Sequence, residues 1–125
     1  MDLSLDHPEG YLFIRRVSAH GVTLIDRELG SSFLLAPDRV VEQWPVTQAG
    51  VLDANHVEAV LALQPELVIL GTGTRQVFPA AAFMAGFLRH NVGIEVMDNA
   101  AAARTYNLLA GEGRRVIAGF ILPAH

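Results

Sequence analysis

The order of apolar and polar positions divides the chain into two unlike halves. Over residues 11–46, short runs rich in β-branched and aromatic residues alternate with turn residues such as Gly21, Gly30 and Pro37. Short runs of this composition, separated by turns, are typical of antiparallel strands. The pattern predicts a meander with strands at 11–18, 22–26 and 31–35, followed by a further strand at 39–44.

From residue 53 onward, helical and strand patterns alternate. Apolar residues recur at mostly helical spacing over 53–63, and Pro65 ends that helix. Two further helices are predicted at 80–90 and 98–111. Strands are predicted between and after the helices at 67–70, 94–97 and 116–122, and the continuous apolar runs at 67–70 and 116–122 are typical of burial on both faces.

These elements predict an α/β fold in one domain. Short loops join the alternating strands and helices, so the connections are crossovers and the sheet is mixed but mostly parallel. The β-rich part, 11–46, either extends this sheet or packs as a further layer on the βαβ-type half, 53–122. Residues 1–10 are polar and are predicted to form a flexible arm.

The composition removes several kinds of chemistry. The chain has no cysteine and no lysine, because all nine basic residues are arginine. This excludes disulfides, thiolate nucleophiles, iron–sulfur clusters, Schiff-base catalysis and a P-loop lysine. The net charge of −4 argues against a nucleic-acid partner. We interpret the two basic doublets, 15–16 and 114–115, as strand edges.

Motifs for catalysis and metal binding are missing from the sequence. The histidines never recur at the i, i+4 spacing of a metal-binding helix, and no GxSxG nucleophile motif occurs; they are His7, His20, His56, His90 and His125. We therefore predict no metal, no cofactor and no catalytic residue, and we leave enzymatic activity open with a non-enzyme favoured.

The cellular location is predicted from the ends and lengths of the apolar runs. The acids Asp2 and Asp6 stand where a signal peptide carries positive charge. No apolar run approaches the roughly 20 residues that a membrane span needs. We predict a cytoplasmic protein with no membrane span.

The loop 71–78, which follows the strand at 67–70, is the first candidate site. Ligands of open α/β sheets bind where loops leave the carboxyl ends of strands. Gly71 and Gly73 flank Thr72 and allow backbone amides to turn inward as an anion-binding nest, to which Arg75 adds a guanidinium. The alternative is that the two glycines only make a tight exit from the strand.

The third helix supplies the second group of candidates. Arg104 and Asn107 lie one turn apart and could grip a carboxylate, or bond carbonyls of a neighbouring strand. Because parallel strands end at the same edge of a sheet, Asn99 at the helix start is expected beside the loop 71–78. The sequence thus predicts one region that contains Thr72, Arg75 and Asn99, with Arg104 about a turn further on.

The helix at 80–90 is apolar nearly all round. Phe83 and Phe87 form one i, i+4 ridge on it. A helix of this kind is buried on more than one side. We predict that Phe83 and Phe87 contact a partner or a second copy of the chain, with coverage by the N-terminal meander as the alternative.

Several of these segments together resemble a known family. They are 65–73 (PELVILGTG), 93–98 (GIEVMD), 104–109 (RTYNLL) and 112–116 (EGRRV). They are similar to a small uncharacterised family that includes mitochondrial complex I assembly factor 3 and the adipogenesis-associated mammalian domain protein. The resemblance implies a three-layer α/β domain without an established enzymatic activity, and, for the assembly factor, action through protein partners. Without a mitochondrial presequence, the chain looks like a bacterial, cytosolic member.

We therefore predict a non-catalytic binding or assembly domain with an unknown protein partner. Its contact surface would combine the loop 71–78, the start of the third helix and the ridge of Phe83 and Phe87. One alternative is a small-molecule site or enzyme in the same crevice, where four side chains would hold an anionic ligand: Thr72, Arg75, Asn99 and Arg104. Another is a homo-oligomer formed through the apolar helix.

Overall fold

The computed structural model describes residues 10–124, which form two sheets and three α-helices. The strands are β1 (Ile14–Val17), β2 (Val22–Leu24), β3 (Arg27–Leu29), β4 (Phe33–Ala36), β5 (Arg39–Val41), β6 (Leu67–Gly71), β7 (Gly93–Met97) and β8 (Val116–Phe120). The helices are α1 (Val57–Leu61), α2 (Ala81–Leu88) and α3 (Asn99–Gly111), with 3-10 turns at Ala49–Val51 and Ala54–His56. The arm predicted at 1–10 lies outside the described residues except for Gly10, as do His7 and His125.

The larger sheet has five strands in the order β5-β4-β8-β6-β7. β6 is parallel to both β7 and β8, whereas β4 is antiparallel to β8 and β5. The smaller sheet is the antiparallel meander β1-β2-β3. The predicted mixed sheet with crossover helices is confirmed, and parallel pairing is confined to β6, β7 and β8.

The continuous apolar runs fill both faces of the larger sheet. Along β6, Val68 and Leu70 face one apolar cluster, while Ile69 faces the other. The same alternation continues in β8, where Ile117 and Ala118 point to opposite clusters. Successive residues of a strand point to opposite faces, so each of these strands needs apolar residues at every position.

The two faces of the larger sheet are covered by different elements. One is covered by α1, α2 and the segment that carries Trp44 and Leu52. The other is covered by α3 and the smaller sheet, where Ala102 and Tyr106 of the helix pack with Leu12. This arrangement confirms the predicted three layers. Within the β-rich part, β4 and β5 extend the larger sheet, whereas the smaller sheet packs on its face.

The N-terminal strands depart from the prediction. The strand predicted at 31–35 as the third of the meander is β4 of the larger sheet, and β3, which was not predicted, takes its place in the meander. The strand predicted at 22–26 ends at Leu24, and a tight turn leads into β3. The strand predicted at 39–44 ends at Val41, because Gln43 has a left-handed backbone with φ of 61°. That conformation cannot continue a strand, and it turns the chain so that Trp44 is buried in the core.

Aspartate side chains cap two of the helix starts. The Asp98 carboxylate accepts a hydrogen bond from the Ala101 N–H at 2.8 Å, and so caps α3. The Asp53 carboxylate accepts from the Asn55 N–H at 2.9 Å, at the 3-10 turn that leads into α1. Such side-chain caps satisfy backbone donors that have no partner within the helix.

Candidate functional site

The exits of three strands meet at one edge of the larger sheet, and the meeting of two of them, those of β6 and β7, was predicted. The Thr72 N–H donates to the Met97 carbonyl at 2.9 Å, and the Asn99 N–H donates to the Gly73 carbonyl at 2.8 Å. The exit of β8 joins them, since the Ile121 N–H donates to the Gly71 carbonyl at 3.0 Å. We call this edge the rim.

Asn99 is the side chain that ties the rim together. Its Nδ2 donates to the Ile121 carbonyl at 3.0 Å, and its Oδ1 accepts from the Gly73 N–H at 3.1 Å. The residue is only 3% exposed. A β-carbon at Gly71 would collide with the Asn99 amide oxygen, so the closeness of the two elements requires glycine there. Asn99 and Gly71 therefore hold the rim in shape, which corrects their predicted role in binding a ligand directly.

The loop 71–78 is held rigid by its own polar groups. The Thr72 hydroxyl donates to the Arg75 carbonyl at 2.6 Å and accepts from the Val77 N–H at 3.0 Å. The Gln76 amide donates to the Val96 carbonyl of β7 at 2.8 Å. Gly73 has a φ of 98°, which its lack of a side chain permits. The N–H groups of Thr72, Gly73 and Val77 are thus engaged within the chain, which favours the alternative that the two glycines make a tight exit from the strand.

A cleft of about 340 Å³ opens beside this loop and is called the rim cleft. Its walls include Thr74 and Arg75 from the loop, His20 from the β1–β2 turn and Ile121 from the exit of β8. Arg75 and His20 are exposed, so the polar character of the cleft is cationic. His20 was missed by the sequence reasoning because only tertiary packing brings the β1–β2 turn to the rim.

The predicted stripe of Arg104 and Asn107 faces a different part of the molecule. The Asn107 amide donates to the Ile14 carbonyl at 2.8 Å and accepts from the Ile14 N–H at 2.9 Å. For Asn107, the structure therefore agrees with the second predicted alternative, a bond to a carbonyl of a neighbouring strand. Arg104 is exposed and lines a separate cleft between β1 and α3. Arg75 and Arg104 therefore do not share the predicted site.

The predicted interface residues Phe83 and Phe87 lie in the core. They are 1% and 0% exposed, and their rings meet edge to face with centroids 5.0 Å apart. α2 packs against β7, α1 and the adjoining 3-10 turn, so the same chain covers the ridge and the N-terminal meander does not. Phe83 and Phe87 therefore contact their own chain, and not the partner or second copy that the sequence predicted. Among residues 10–124, the large apolar side chains that are exposed are Val51, Phe78, Leu88 and Leu108.

A buried tyrosine fixes α3 against the N-terminal segment. Burial raises the pKa of Tyr106 well above its ordinary value, with the Tyr11 and Asp38 charges acting in the same direction. The neutral hydroxyl donates to the Leu12 carbonyl at 2.7 Å. The group stays protonated at all physiological pH values and has a structural role.

Within residues 10–124, no three His, Cys, Asp or Glu side chains are grouped so that they could hold a metal ion. None of the helices in the same range has the length and apolar content to cross a membrane.

Known proteins resemble the chain over most of its length. Residues 14–121 match the family described as "Protein of unknown function (DUF498/DUF598)". The NMR structure of a Xanthomonas campestris protein is 44% identical, with a TM-score of 0.82 over 93% of this chain and 89% of that one. The fold described above is therefore shared with an experimentally determined relative.

Two curated relatives have printed names that bear on function. The "13 kDa major membrane protein" of Francisella tularensis is 28% identical, over 71% of this chain and 73% of that protein. Mouse "NADH dehydrogenase [ubiquinone] 1 alpha subcomplex assembly factor 3" is 27% identical, over 90% of this chain and 61% of that protein. The chain thus spans about three-fifths of the mouse relative.

Proposed function

The chain belongs to the DUF498/DUF598 family of proteins of unknown function, and from this premise we propose that it is a non-catalytic domain that binds a protein partner. The name of the mouse relative, an assembly factor, supports this class of function. We propose that the contact surface lies at the rim, around the loop 71–78, and that the protein acts in the cytoplasm.

The observation that carries the proposal is the exposure of Phe78. Its side chain is 65% exposed at the end of a loop whose polar groups are bonded internally. Aromatic residues are enriched among the anchors of protein interfaces. Because the loop is already ordered, little conformational entropy would be lost when Phe78 enters a partner's pocket. Arg75, exposed in the same loop, adds a guanidinium for charge complementarity.

Replacement of Phe78 by serine tests this surface. An anchor residue contributes at least about 2 kcal/mol to binding, so Phe78→Ser should reduce partner capture roughly thirtyfold. The measurement is affinity purification with the tagged chain from extracts of its native cells, with quantification of each co-purified protein. Thermal unfolding of Phe78→Ser should match that of the unmodified chain, because an exposed side chain contributes little to stability.

Leu108→Ser is the matched control, because Leu108 is 63% exposed on the outer side of α3. It should retain every partner that the unmodified chain captures. If the two variants lose the same proteins, the captured proteins bind nonspecifically to exposed apolar side chains, and the proposed rim contact is wrong.

A second candidate function is the binding of a small anionic molecule in the rim cleft. Its volume of about 340 Å³ lies in the range of ligand sites, roughly 300–1,000 Å³. Arg75, His20 and Thr74 supply a cation and hydrogen-bond donors to its wall. The cleft could hold a phosphate- or carboxylate-bearing metabolite, and an activity on such a molecule would then be open to assay.

A thermal-shift screen tests this second candidate. Inorganic phosphate, nucleotides and organic acids are added to the chain and to Arg75→Gln, and the Tm of each mixture is measured. A ligand at a hundredfold its Kd stabilises the fold by about 2.7 kcal/mol, which for a domain of this size raises the Tm by roughly 10 °C. The rise should be smaller in Arg75→Gln, and a screen without any shift would speak against this candidate.

A further inference from the structure

A break in the regular pairing of β1 brings two neighbouring arginines to one side. Ile14 pairs with Leu24 while Arg16 pairs with Thr23, so two steps along β1 oppose a single step along β2. Consecutive residues of a regular strand point to opposite faces, whereas a bulge redirects a side chain. Arg15 and Arg16 accordingly line the same cleft.

Arg104 of α3 completes a group of three arginines around this space, which we call the arginine cleft. The cleft has a volume of about 280 Å³, and Ala100 and Ala103 contribute to its lining with small side chains. The Asn107 bonds to Ile14 fix β1 against α3. These bonds therefore fix the backbone positions from which the three arginine side chains extend.

None of the three arginines is neutralised by the part of the chain that the structure describes. Within residues 10–124, no carboxylate comes within 4.0 Å of them. Arg15 instead lies over the Phe13 ring, 5.6 Å from its centroid. By contrast, Arg27 pairs with Glu42 at 2.8 Å and Arg115 with Asp38 at 3.1 Å. Among residues 10–124 of a protein of net charge −4, three arginines without a carboxylate partner in that range thus line one cleft.

We propose that the arginine cleft docks an acidic segment of a protein partner, whose carboxylates pair with Arg15, Arg16 and Arg104. The inference rests on the proposed function in one respect, since it states the chemistry of a second contact with a protein partner. Guanidinium groups present planar forks of donors that match carboxylates. Three cations that repel one another also gain when anions come between them.

A segment with several carboxylates suits the cleft better than a small anion. All three arginine residues are exposed, so each single ion pair is weakened by water and salt. A peptide that carries several carboxylates on one backbone binds them at a high effective concentration, which compensates for the weakness of each pair.

An NMR titration of the full chain tests the proposal. The probe is an acetylated dodecapeptide of alternating Glu and Ser, and the control peptide alternates Gln and Ser. The Glu peptide should shift the amide signals of Arg15, Arg16, Ala100 and Arg104 in the ¹⁵N-labelled chain. The shifts should weaken as ionic strength rises from about 0.01 M to 0.15 M, where the Debye length falls from roughly 30 Å to 8 Å. The Gln peptide should leave these signals unchanged.

Two double variants with the same change in net charge provide the decisive comparison. Arg16→Gln with Arg104→Gln should weaken binding of the Glu peptide about fivefold or more, because two exposed ion pairs are lost. Arg39→Gln with Arg89→Gln removes two exposed arginines that do not line the cleft, and should bind as tightly as the unmodified chain. Spectra of both variants without peptide verify that the fold is retained.

Three results would overturn the proposal. The two double variants could bind the Glu peptide equally, the shifted amides could lie away from β1 and α3, or inorganic phosphate could saturate the same amides while the peptide does not. The last result would assign the cleft to a small anion. Because the titration does not use the native partner, it is independent of Phe78→Ser, and either proposal can fail while the other stands.

Discussion

Phe87→Ala should lower the free energy of unfolding by about 3–5 kcal/mol, the range for large-to-small changes at a buried phenylalanine. Phe87 is fully buried and meets Phe83 edge to face, with ring centroids 5.0 Å apart. Truncation removes both the transfer free energy of the ring and the contacts around the cavity that it leaves. Urea unfolding followed by circular dichroism measures the change as a lower midpoint with an unchanged slope.

Leu88→Ala is the control for this prediction, since Leu88 adjoins Phe87 but is 61% exposed. Its free energy of unfolding should stay within about 0.5 kcal/mol of the unmodified value. A Phe87→Ala chain as stable as the Leu88→Ala chain would mean that the ring is not in the core. It would also restore the interface role that the sequence predicted for the α2 ridge.

Asn99→Ala should lower the free energy of unfolding by about 2–5 kcal/mol, because it leaves two backbone groups without partners. The Gly73 N–H and the Ile121 carbonyl both bond to the Asn99 amide. A buried polar group without a partner costs about 1–3 kcal/mol. Urea unfolding measures the total loss, and hydrogen exchange at the Gly73 amide should accelerate beyond what the global loss explains.

Asn55→Ala serves as the control, since Asn55 is exposed at the turn before α1 and its side chain should contribute little. A double-mutant cycle sharpens the test. Gly71→Ala should be more costly in the unmodified chain than in Asn99→Ala, because the added β-carbon collides with the Asn99 oxygen. Equal costs in both backgrounds would contradict the contact between Gly71 and Asn99.

The carboxyl-terminal half of the fold could be predicted because its signals are local. A run of apolar residues that is buried on both faces, such as β6, needs no knowledge of its neighbours to be recognised. Asp98 marks the start of α3 by a carboxylate that reaches three residues ahead. Parallel pairing then follows from connection length, and it led to the predicted convergence at the rim.

The N-terminal half could be predicted only in outline. The separation of the meander from the β4–β5 hairpin depends on the pairing of β4 with β8, more than 80 residues further along the chain. The ending of β5 depends on a left-handed residue, Gln43, of a type that carries no strong turn signal. Neither feature can be recognised from a short window of sequence.

The candidate site shows the same division. The meeting of strand exits at the rim could be predicted from the sequence. The polar side chains there were assigned to ligands because the sequence does not show which backbone groups compete for their hydrogen bonds. Asn99 and Asn107 each bond a strand exit or edge of their own chain, an alternative that only tertiary packing decides. Phe83 and Phe87 were misplaced because helical periodicity does not show what covers an apolar ridge.

The central position of β8 has a consequence for how the protein acquires its shape. The antiparallel β4–β5 hairpin and the parallel β6–β7 pair meet only across β8, which comes last among the strands. During synthesis on the ribosome, β4 and β6 each keep one apolar edge unpaired until residues 116–120 emerge. Long-range closure of this kind slows folding and exposes the nascent chain to aggregation. Cells that make this protein rapidly are therefore expected to require chaperones that bind the nascent chain until residues 116–120 have left the ribosome.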